Sequence, residues 1–352
     1  MRRAWTVPLA AVLAGLLMAG CHPDADVLSS AEPVPGSVVP ANFPPPAYGP
    51  ELNAPDRATF ELGRSLFYDP LLSRDSTVSC GTCHRQTDAF ADAGQRLSAG
   101  VLGHRGLRNA PPLQNLRWRR TLMWDGAVAH IENLPLAPLT NAQEMDETLP
   151  RVLAKLNRHP AYPARFASIY GPGPITSYQF LRALAQFTAA LTSANSRYDQ
   201  YVRHEPGGTL SVQELRGLTV FRANCASCHA TDLFTDETYR NNGLDRSFAQ
   251  DSGRARITGR PDERGLFKVP SLRNVARTAP YMHDGRFQTL DQVLDHYDHG
   301  VVPSGTLDPL LRRPDGSLGI RLDAEQRADL RAFLLTLTDD AFLHNPQLAP
   351  PR

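Results

Sequence analysis

The sequence predicts a mostly α-helical chain of two domains, each organised around one copy of a C-x-x-C-H motif. Apolar residues recur at helical spacing in several segments, and strand-like alternation is sparse. The two motif histidines, at positions 84 and 229, are about 145 residues apart, which is too far for one small domain. Four segments begin with a capping box, in which Ser, Thr or Asp precedes Gln or Glu by three positions: Thr176, Ser211, Thr289 and Asp323.

Each predicted helix has one apolar face. The first helix follows Pro55, the helix after Ser211 delivers the second motif, and the helix after Thr289 is expected over residues 290–299, ending at Gly300. Beyond the motif and the helix before it, the sequence shows no strong internal repeat. The expected inward residues are Ala58, Leu62 and Leu66; Phe180, Leu184, Phe187 and Leu191; Leu215, Leu218 and Phe221; Leu290, Val293, Leu294 and Tyr297; and Leu330, Phe333, Leu334 and Leu337.

The two motifs, Cys80–His84 and Cys225–His229, have the attachment pattern of c-type haem. Two thiols three positions apart reach one porphyrin edge from a single helical turn, and the next residue, histidine, becomes an axial ligand of the iron. Three alternatives compete: a thioredoxin-like redox pair, which needs no histidine and sits in a βαβ pattern; a zinc site; and two strained disulfides. We predict two covalent haem c groups, bound by Cys80, Cys83 and His84 and by Cys225, Cys228 and His229.

The N-terminus has the pattern of a secretory signal. Arg2 and Arg3 precede an apolar run over residues 7–18, which is short for a membrane span, and small residues lead to Cys21. Residues 18–21 resemble a bacterial lipobox with Met in the place usually held by Leu. That resemblance implies a signal peptide over 1–20, lipidation of the Cys21 thiol, and a lipoprotein on the periplasmic side of a bacterial membrane. An ordinary signal with an incidental cysteine is the alternative.

The remaining chain divides into three segments. Residues 21–50 are rich in Pro, Ala and Ser and are expected to form an extended tether behind the lipid anchor. Residues 51–205 and 206–345 are the two predicted haem domains, with the boundary in the helix-breaking stretch near residues 201–208. The net charge of +1 gives no overall field for binding nucleic acid.

Four longer segments resemble one family of proteins. Trp124–Gly126, Asn141–Met145, Phe267–Val275 and Thr278–Gly285 occur in the order found in bacterial dihaem cytochrome c peroxidases, including the MauG-like branch. The resemblance covers roughly residues 55 to 340. It implies two cytochrome c-like helical domains, each with one covalent haem, facing each other across a cleft. It also implies that the N-terminal haem reacts with peroxide while the C-terminal haem passes electrons to it.

The resemblance also implies roles for individual residues. Glu144 matches the acid–base residue above the peroxide-binding haem, Trp124 matches a tryptophan between the haems, and His104 resembles a loop histidine that caps the N-terminal haem. Leu134 stands where the family has a glutamine, which removes one distal hydrogen bond. The remaining matches are His84 and His229 as proximal iron ligands, Tyr297 in place of the methionine ligand of the second haem, and Asn109 with the carbonyls of Thr278 and Pro280 as a calcium site.

The chemistry of these residue types agrees with those roles. A carboxyl such as Glu144 can move a proton between two oxygens if burial raises its pKa; otherwise it is a solvated charge. Trp124 suits electron tunnelling but could be an ordinary core residue. His104 lies in a glycine-rich loop that can rearrange, or it is a surface histidine. An asparagine amide and two carbonyls suit calcium, with waters completing the shell, although the asparagine could instead cap a turn.

Tyr297 is expected to point inward, toward the second haem. His296 lies about 100° around the same helix, and Met282 remains an alternative ligand. A phenolate would lower the haem potential, whereas methionine would raise it. Tyr297 could also be a core tyrosine with a satisfied hydroxyl.

Three functions fit these observations. The first is a periplasmic dihaem peroxidase that reduces hydrogen peroxide to water with electrons from a small cytochrome c or a cupredoxin. The second is a MauG-like oxidase that modifies a partner protein, and the third is a non-catalytic electron carrier. A carrier keeps both irons six-coordinate, so Glu144 and the loop of His104 favour an enzyme. A homodimer is compatible with each of the three.

Overall fold

A computed structural model describes Met1 and residues 33–351 of the chain. Its contacts divide the chain into Met1–Pro33 and Val34–Arg352, and the second unit is the folded body described below. The predicted signal peptide, Cys21 and the tether up to residue 32 lie outside the described residues. In the described part, no helix combines the length and the apolar character that a membrane crossing requires.

The folded body is mostly helical, as predicted. Twelve α-helices are described: α1 (Arg57–Tyr68), α2 (Cys80–Cys83), α3 (Leu136–Thr140), α4 (Leu149–Arg158), α5 (Tyr162–Tyr170), α6 (Ser177–Ala189), α7 (Arg197–Val202), α8 (Val212–Asn224), α9 (Ala255–Thr258), α10 (Leu290–Asp295), α11 (Ala324–Leu335) and α12 (Asp340–Leu343). Two short strands, β1 (Tyr239–Arg240) and β2 (Phe267–Lys268), pair antiparallel. Short 3₁₀ helices occupy Pro70–Leu72, Gln86–Asp88, Val101–Gly103, Leu116–Trp118, Ile131–Asn133, Pro261–Glu263, Val275–Arg277 and Pro309–Leu311.

All four predicted capping boxes are present, at Thr176, Ser211, Thr289 and Asp323. The prediction of an inward-facing side chain is wrong for two residues. Ala58 is exposed, because α1 buries the adjacent face that carries Phe60. Leu215 is 38% exposed, because α8 buries Gly217, Leu218 and Phe221 instead.

Two hydrophobic cores correspond to the two motif-bearing domains. In the first, α1 packs on α6, and in the second, α8 packs on α11. A glycine permits each close approach: a Cβ at Gly63 would lie 2.0 Å from the Ala183 carbonyl, and one at Gly217 would lie 1.9 Å from the Asp329 carbonyl. Each pair brings the helix before a C-x-x-C-H motif against a second capped helix, so both motifs sit at the edge of a packed helix pair.

An internal repeat extends well beyond the motif, contrary to the expectation from the sequence. A Met-x-Asp-Gly turn occurs once in each domain region, at residues 123–126 and 282–285. The methionine has positive φ in both turns, 70° at Met123 and 74° at Met282. Each turn is flanked by an antiparallel bridge, Leu122 to Val128 and Tyr281 to Phe287. An asparagine with positive φ precedes each turn by eight residues, Asn115 and Asn274. The chain therefore contains two copies of one structural unit, each with a C-x-x-C-H motif.

The expectation of a free tether fails for residues 34–50, which we call the N-terminal strap. Phe43 and Tyr48 of the strap are buried. The Trp118 indole donates to the carbonyl of Pro44 (2.8 Å), and the Tyr48 hydroxyl donates to Glu132 (2.5 Å). Proline-rich composition predicted an extended backbone but gave no sign that its aromatic residues pack on the folded body.

Candidate haem sites

The first site forms around α2, which carries Cys80 and Cys83. Thr82 anchors the start of this short helix by accepting a hydrogen bond from the Ser79 amide (3.0 Å). His84 follows directly, and its Nδ1 lies 2.7 Å from the carbonyl oxygen of Phe90. Phe90 has φ of 58°, an uncommon backbone conformation for a bulky residue. That contact assigns the proton of the imidazole to Nδ1 and leaves Nε2 as the ligand atom.

The second site has the same construction at the end of α8. Cys225 caps the helix, Cys228 follows, and Nδ1 of His229 lies 3.1 Å from the carbonyls of both Phe234 and Pro270. Phe234 again has positive φ, 55°. The proximal loops of the two sites, residues 85–91 and 230–235, therefore present a backbone carbonyl to the histidine in the same way.

The residues of both sites fit haem c. All four motif cysteines are free thiols, and each pair lies next to an imidazole whose Nε2 is available. Burial raises the pKa of Cys80 and of Cys225 to about 12. Within residues 33–351, no group of three or more His, Cys, Asp or Glu side chains is arranged to hold a metal ion, so the zinc alternative lacks a ligand set.

Glu144 lies beside the first site. The Cys83 sulfur lies 4.0 Å from the carbonyl oxygen of Ala99, and the amide of Val101, two residues further on, donates to the Glu144 carbonyl (2.7 Å). Burial raises the pKa of Glu144 itself, and the hydrogen bond donated by Asn141 (2.7 Å) offsets part of that increase. This is the desolvated state expected of an acid–base carboxyl.

His104 lies in an exposed loop that packs against the Glu144 segment. Its Nδ1 is 3.3 Å from the Ala142 carbonyl, and the Val101 amide donates to the Glu144 carbonyl (2.7 Å). Leu102 and Gly103 have positive φ, 57° and 76°. The structure thus brings His104 close to the segment that carries Glu144.

Trp124 connects the two motif-bearing domains. Its indole donates to the Asn109 carbonyl (2.9 Å), and its own carbonyl accepts from the amide of Lys268 in β2 (2.8 Å). The next residue, Asp125, is fully buried and is held by Arg108 (2.7 Å) and Arg256 (2.5 Å). Backbone contacts and a buried ion-pair network therefore fix the position of this half-buried indole.

The predicted calcium ligands lie on neighbouring segments. The side-chain nitrogen of Asn109 donates to the carbonyls of Gln95 and Arg96 (3.2 Å each), which leaves its side-chain oxygen free of that contact. The Asn109 amide also donates to the His283 carbonyl (2.8 Å). Among residues 33–351, the carbonyls of Thr278 and Pro280 accept no hydrogen bond. Three available oxygens of this kind suit a hard cation.

Tyr297 lies in the predicted helical segment, which runs without a break from Leu290 to Gly300 but changes its hydrogen-bonding pattern on the way. The regular helix ends at Asp295, and residues His296–Gly300 form a π-helical turn, a feature frequent at functional sites. Burial raises the pKa of Tyr297 to about 12, and the charges of Cys225 and Cys228 contribute to the increase. The Tyr297 carbonyl accepts from the amide of Ile320 (2.6 Å), and Ile320 packs against the same hydrophobic core as Cys225.

Asn242, which the sequence gave no reason to select, contacts two of the three candidate ligands of the second site. Its side chain donates to the Met282 sulfur (3.4 Å). It also lowers the pKa of the Tyr297 phenol against the effect of burial. Its carbonyl lies 3.0 Å from Nε2 of the buried His296. His296 and Met282 are thus each engaged by Asn242.

Comparison with known proteins defines the class as a c-type dihaem oxidoreductase. The model of the di-haem cytochrome c peroxidase family matches residues 57–207, and that of cytochrome c matches residues 215–338. The chain is 34% identical over 299 residues to methylamine utilization protein MauG of Methylorubrum extorquens, which spans 82% of this chain and 80% of that protein. It therefore belongs to the di-haem cytochrome c peroxidase family, in which MauG is a relative.

Other relatives agree with this assignment. Cytochrome c551 peroxidase of Nitrosomonas europaea is 29% identical over 358 residues, covering 100% of this chain and 96% of that one. The crystal structure of a MauG-like protein associated with microbial copper homeostasis superposes with a TM-score of 0.80 at 34% identity, covering 89% and 98% of the two chains. The diheme peroxidase BthA from Burkholderia thailandensis gives 0.71 at 27% identity, with 85% and 91% covered. The predicted fold, two cytochrome c-like helical domains, is confirmed, and the family implies two haem c groups.

Proposed function

We propose that this protein reduces hydrogen peroxide to water at the first haem, with electrons that enter through the second haem from a small cytochrome c or a cupredoxin. The observation that carries the proposal is the desolvated carboxyl of Glu144 beside Cys80 and Cys83. A protein that only carried electrons would have no use for a proton-transfer group next to one of its haems.

Haem c, when bound, supplies the redox iron on which peroxide is reduced. Nε2 of His84 would hold the first haem iron, and the carbonyl of Phe90 orients that imidazole. Glu144 accepts a proton from peroxide and returns it to the leaving oxygen, while Asn141 fixes the carboxyl. Trp124, held by both domains, is the proposed relay between the two haems, and His104 closes the first site when its loop rearranges.

Calcium, lipidation and location complete the proposal. The oxygens of Asn109, Thr278 and Pro280 would hold one calcium ion together with waters. Cys21 would carry the lipid that keeps the enzyme at the periplasmic side of the membrane. A homodimer remains part of the proposal, with no particular surface assigned to it.

Tyr297 favours a second candidate function, a MauG-like oxidation of a partner protein. A phenolate ligand stabilises oxidised iron. A second haem bound by His229 and Tyr297 would therefore store oxidising equivalents rather than pass electrons from a donor protein to the first haem. The two functions separate in one assay: peroxide consumption that requires a reduced donor cytochrome supports the peroxidase, whereas peroxide-driven oxidation of a protein without a donor supports the oxidase.

We predict two haems per chain. A pyridine haemochrome assay on the purified protein should give two, and the double variant Cys225→Ala/Cys228→Ala should give one, because a thioether bond needs the thiol. The matched control is Cys21→Ser, which removes the fifth cysteine and should leave two haems. A ratio of one in the unaltered protein, or bound zinc, would refute the assignment of both motifs.

We predict that Tyr297→Phe changes the second haem and leaves the first unaltered. Loss of the phenolate should raise the potential of the second haem by on the order of 0.1 V, since axial ligands set haem potentials over about 0.8 V. The control is Tyr281→Phe, whose hydroxyl donates to the Val275 carbonyl (2.9 Å). A near-infrared methionine–haem band that persists in Tyr297→Phe would assign the ligand to Met282 instead.

A further inference from the structure

The N-terminal strap lies against the proximal loop of the second site. The ring of Phe43, 7% exposed, packs edge-to-face on Trp118, with 5.1 Å between centroids and an interplanar angle of 89°. Leu233, a residue of the proximal loop, belongs to the same buried cluster. The guanidinium of Arg273 lies 4.5 Å from the centroid of Phe43 on one ring face.

Arg273 joins the strap to the loop by hydrogen bonds. Its Nε donates to the carbonyl of Asp232 (2.8 Å), two residues before Phe234, whose carbonyl faces Nδ1 of His229. Its other nitrogens donate to Asp199 (2.8 and 2.6 Å), which also accepts from the side chain of Asn42 in the strap (2.9 Å). Phe43 and Asn42 therefore contact a network that ends at the Asp232 carbonyl, in the same loop as the Phe234 carbonyl that faces His229. The Arg273 guanidinium also lies 5.8 Å from the centroid of the Phe234 ring.

A segment late in the chain packs against the proximal loop of the first site in a similar way. We call residues 340–348 the C-terminal segment. Phe342, 4% exposed, packs on Phe90 with 5.6 Å between ring centroids. Gln86 in the proximal loop donates to the carbonyls of Phe342 (3.2 Å) and Asn345 (2.8 Å). Phe90 is the residue whose carbonyl holds Nδ1 of His84.

We infer that the N-terminal strap and the C-terminal segment are crossed braces, with Phe43 positioning His229 and Phe342 positioning His84. A hydrogen bond from Nδ1 raises the basicity of a ligating imidazole and so tunes the iron it binds. Loosening a brace weakens that hydrogen bond and raises the potential of one haem only. The inference goes beyond the proposed function: it rests on haem attachment at the two motifs and is independent of the substrate.

The test compares Phe43→Ala with Phe342→Ala in the full-length holoprotein. Phe43→Ala should raise the potential of the second haem and accelerate hydrogen exchange several-fold in residues 230–235. Phe342→Ala should do the same to the first haem and residues 85–91. Matched controls are Val39→Ala in the strap and Leu335→Ala in the last long helix, both at exposed side chains (40% and 47%), which should shift neither haem.

Two further variants keep the test decisive if either cavity variant fails to fold. Asn42→Ala removes the hydrogen bond to Asp199, and Gln86→Ala removes those to the C-terminal segment, and neither empties a hydrophobic core. Asn42→Ala should raise the potential of the second haem only, and Gln86→Ala should raise the potential of the first haem only. Equal shifts at both haems, or shifts no larger than those of the controls, would overturn the inference. A haemochrome ratio of two in every variant separates that outcome from failed haem attachment.

Discussion

Glu144→Gln should lower kcat for peroxide reduction by roughly 10²–10⁴-fold while leaving two haems per chain, because general acid–base catalysis contributes about that much. Glutamine keeps the size of the side chain and can still accept the hydrogen bond from Asn141, but it cannot take up a proton. Steady-state kinetics with a reduced cytochrome c measures the effect. Glu325→Gln, at a glutamate whose side chain is 76% exposed, is the control for loss of one negative charge.

The pH profile provides a second measurement of the same residue. Burial raises the pKa of Glu144, so in the unaltered enzyme the acid limb should lie above the usual glutamate range. Activity falls as the pH drops below that pKa, because the protonated carboxyl cannot accept the peroxide proton. The acid limb should disappear in Glu144→Gln. Unchanged kcat and an unchanged acid limb would show that Glu144 takes no part in catalysis.

Arg273→Met should reduce the free energy of unfolding by about 3–5 kcal/mol at pH 7, the usual penalty for breaking a buried ion pair from one side. The side chains of Arg273 and Asp199 are both fully buried, so the variant leaves a buried carboxylate without its counter-charge. Urea titration measures the change. Arg260→Met removes the partner of Asp262 in an exposed ion pair, with side chains 62% and 65% exposed, and should leave the free energy of unfolding nearly unchanged.

At acidic pH, the difference in the free energy of unfolding between Arg273→Met and the unaltered protein should become smaller. Burial alone would raise the pKa of Asp199, but the hydrogen bonds and charge of Arg273 lower it overall. The pair thus stabilises the protein above the ordinary aspartate pKa, and that contribution is lost as the pH falls toward the lowered value. In Arg273→Met, protonation of Asp199 relieves the penalty. A difference that is independent of pH would contradict this account.

Features with a local signal could be predicted from the sequence. Capping boxes satisfy backbone groups within four residues, so the helices after Thr176, Ser211 and Asp323 begin where their caps indicate. The C-x-x-C-H motifs likewise carry their chemistry in five consecutive residues. Burial raises the pKa of Glu144, as expected for an acid–base residue. That expectation came from the family resemblance and not from the periodicity of the sequence.

Features that depend on distant contacts could not be predicted. Phe43 is buried by Trp118 and Leu233, which are far from it in the chain. The π-helical turn at His296–Gly300 and the role of Asn242 arise from packing around the second site. The extended repeat is a different case: both Met-x-Asp-Gly turns can be found in the sequence, but the match is short and their second residues, Trp124 and His283, differ.

The crossed braces also constrain the order in which the chain can be completed. The contact between Gln86 and Phe342 closes a loop of 256 positions, and closing so long a loop is entropically costly and slow. Because Phe342 follows Gln86 by 256 positions, the proximal loop of the first motif can be braced only after residues 340–348 have been synthesised. Until then this loop lacks its contacts with Phe342 and Asn345, and we expect haem attachment at Cys80 and Cys83 to be easiest in that interval.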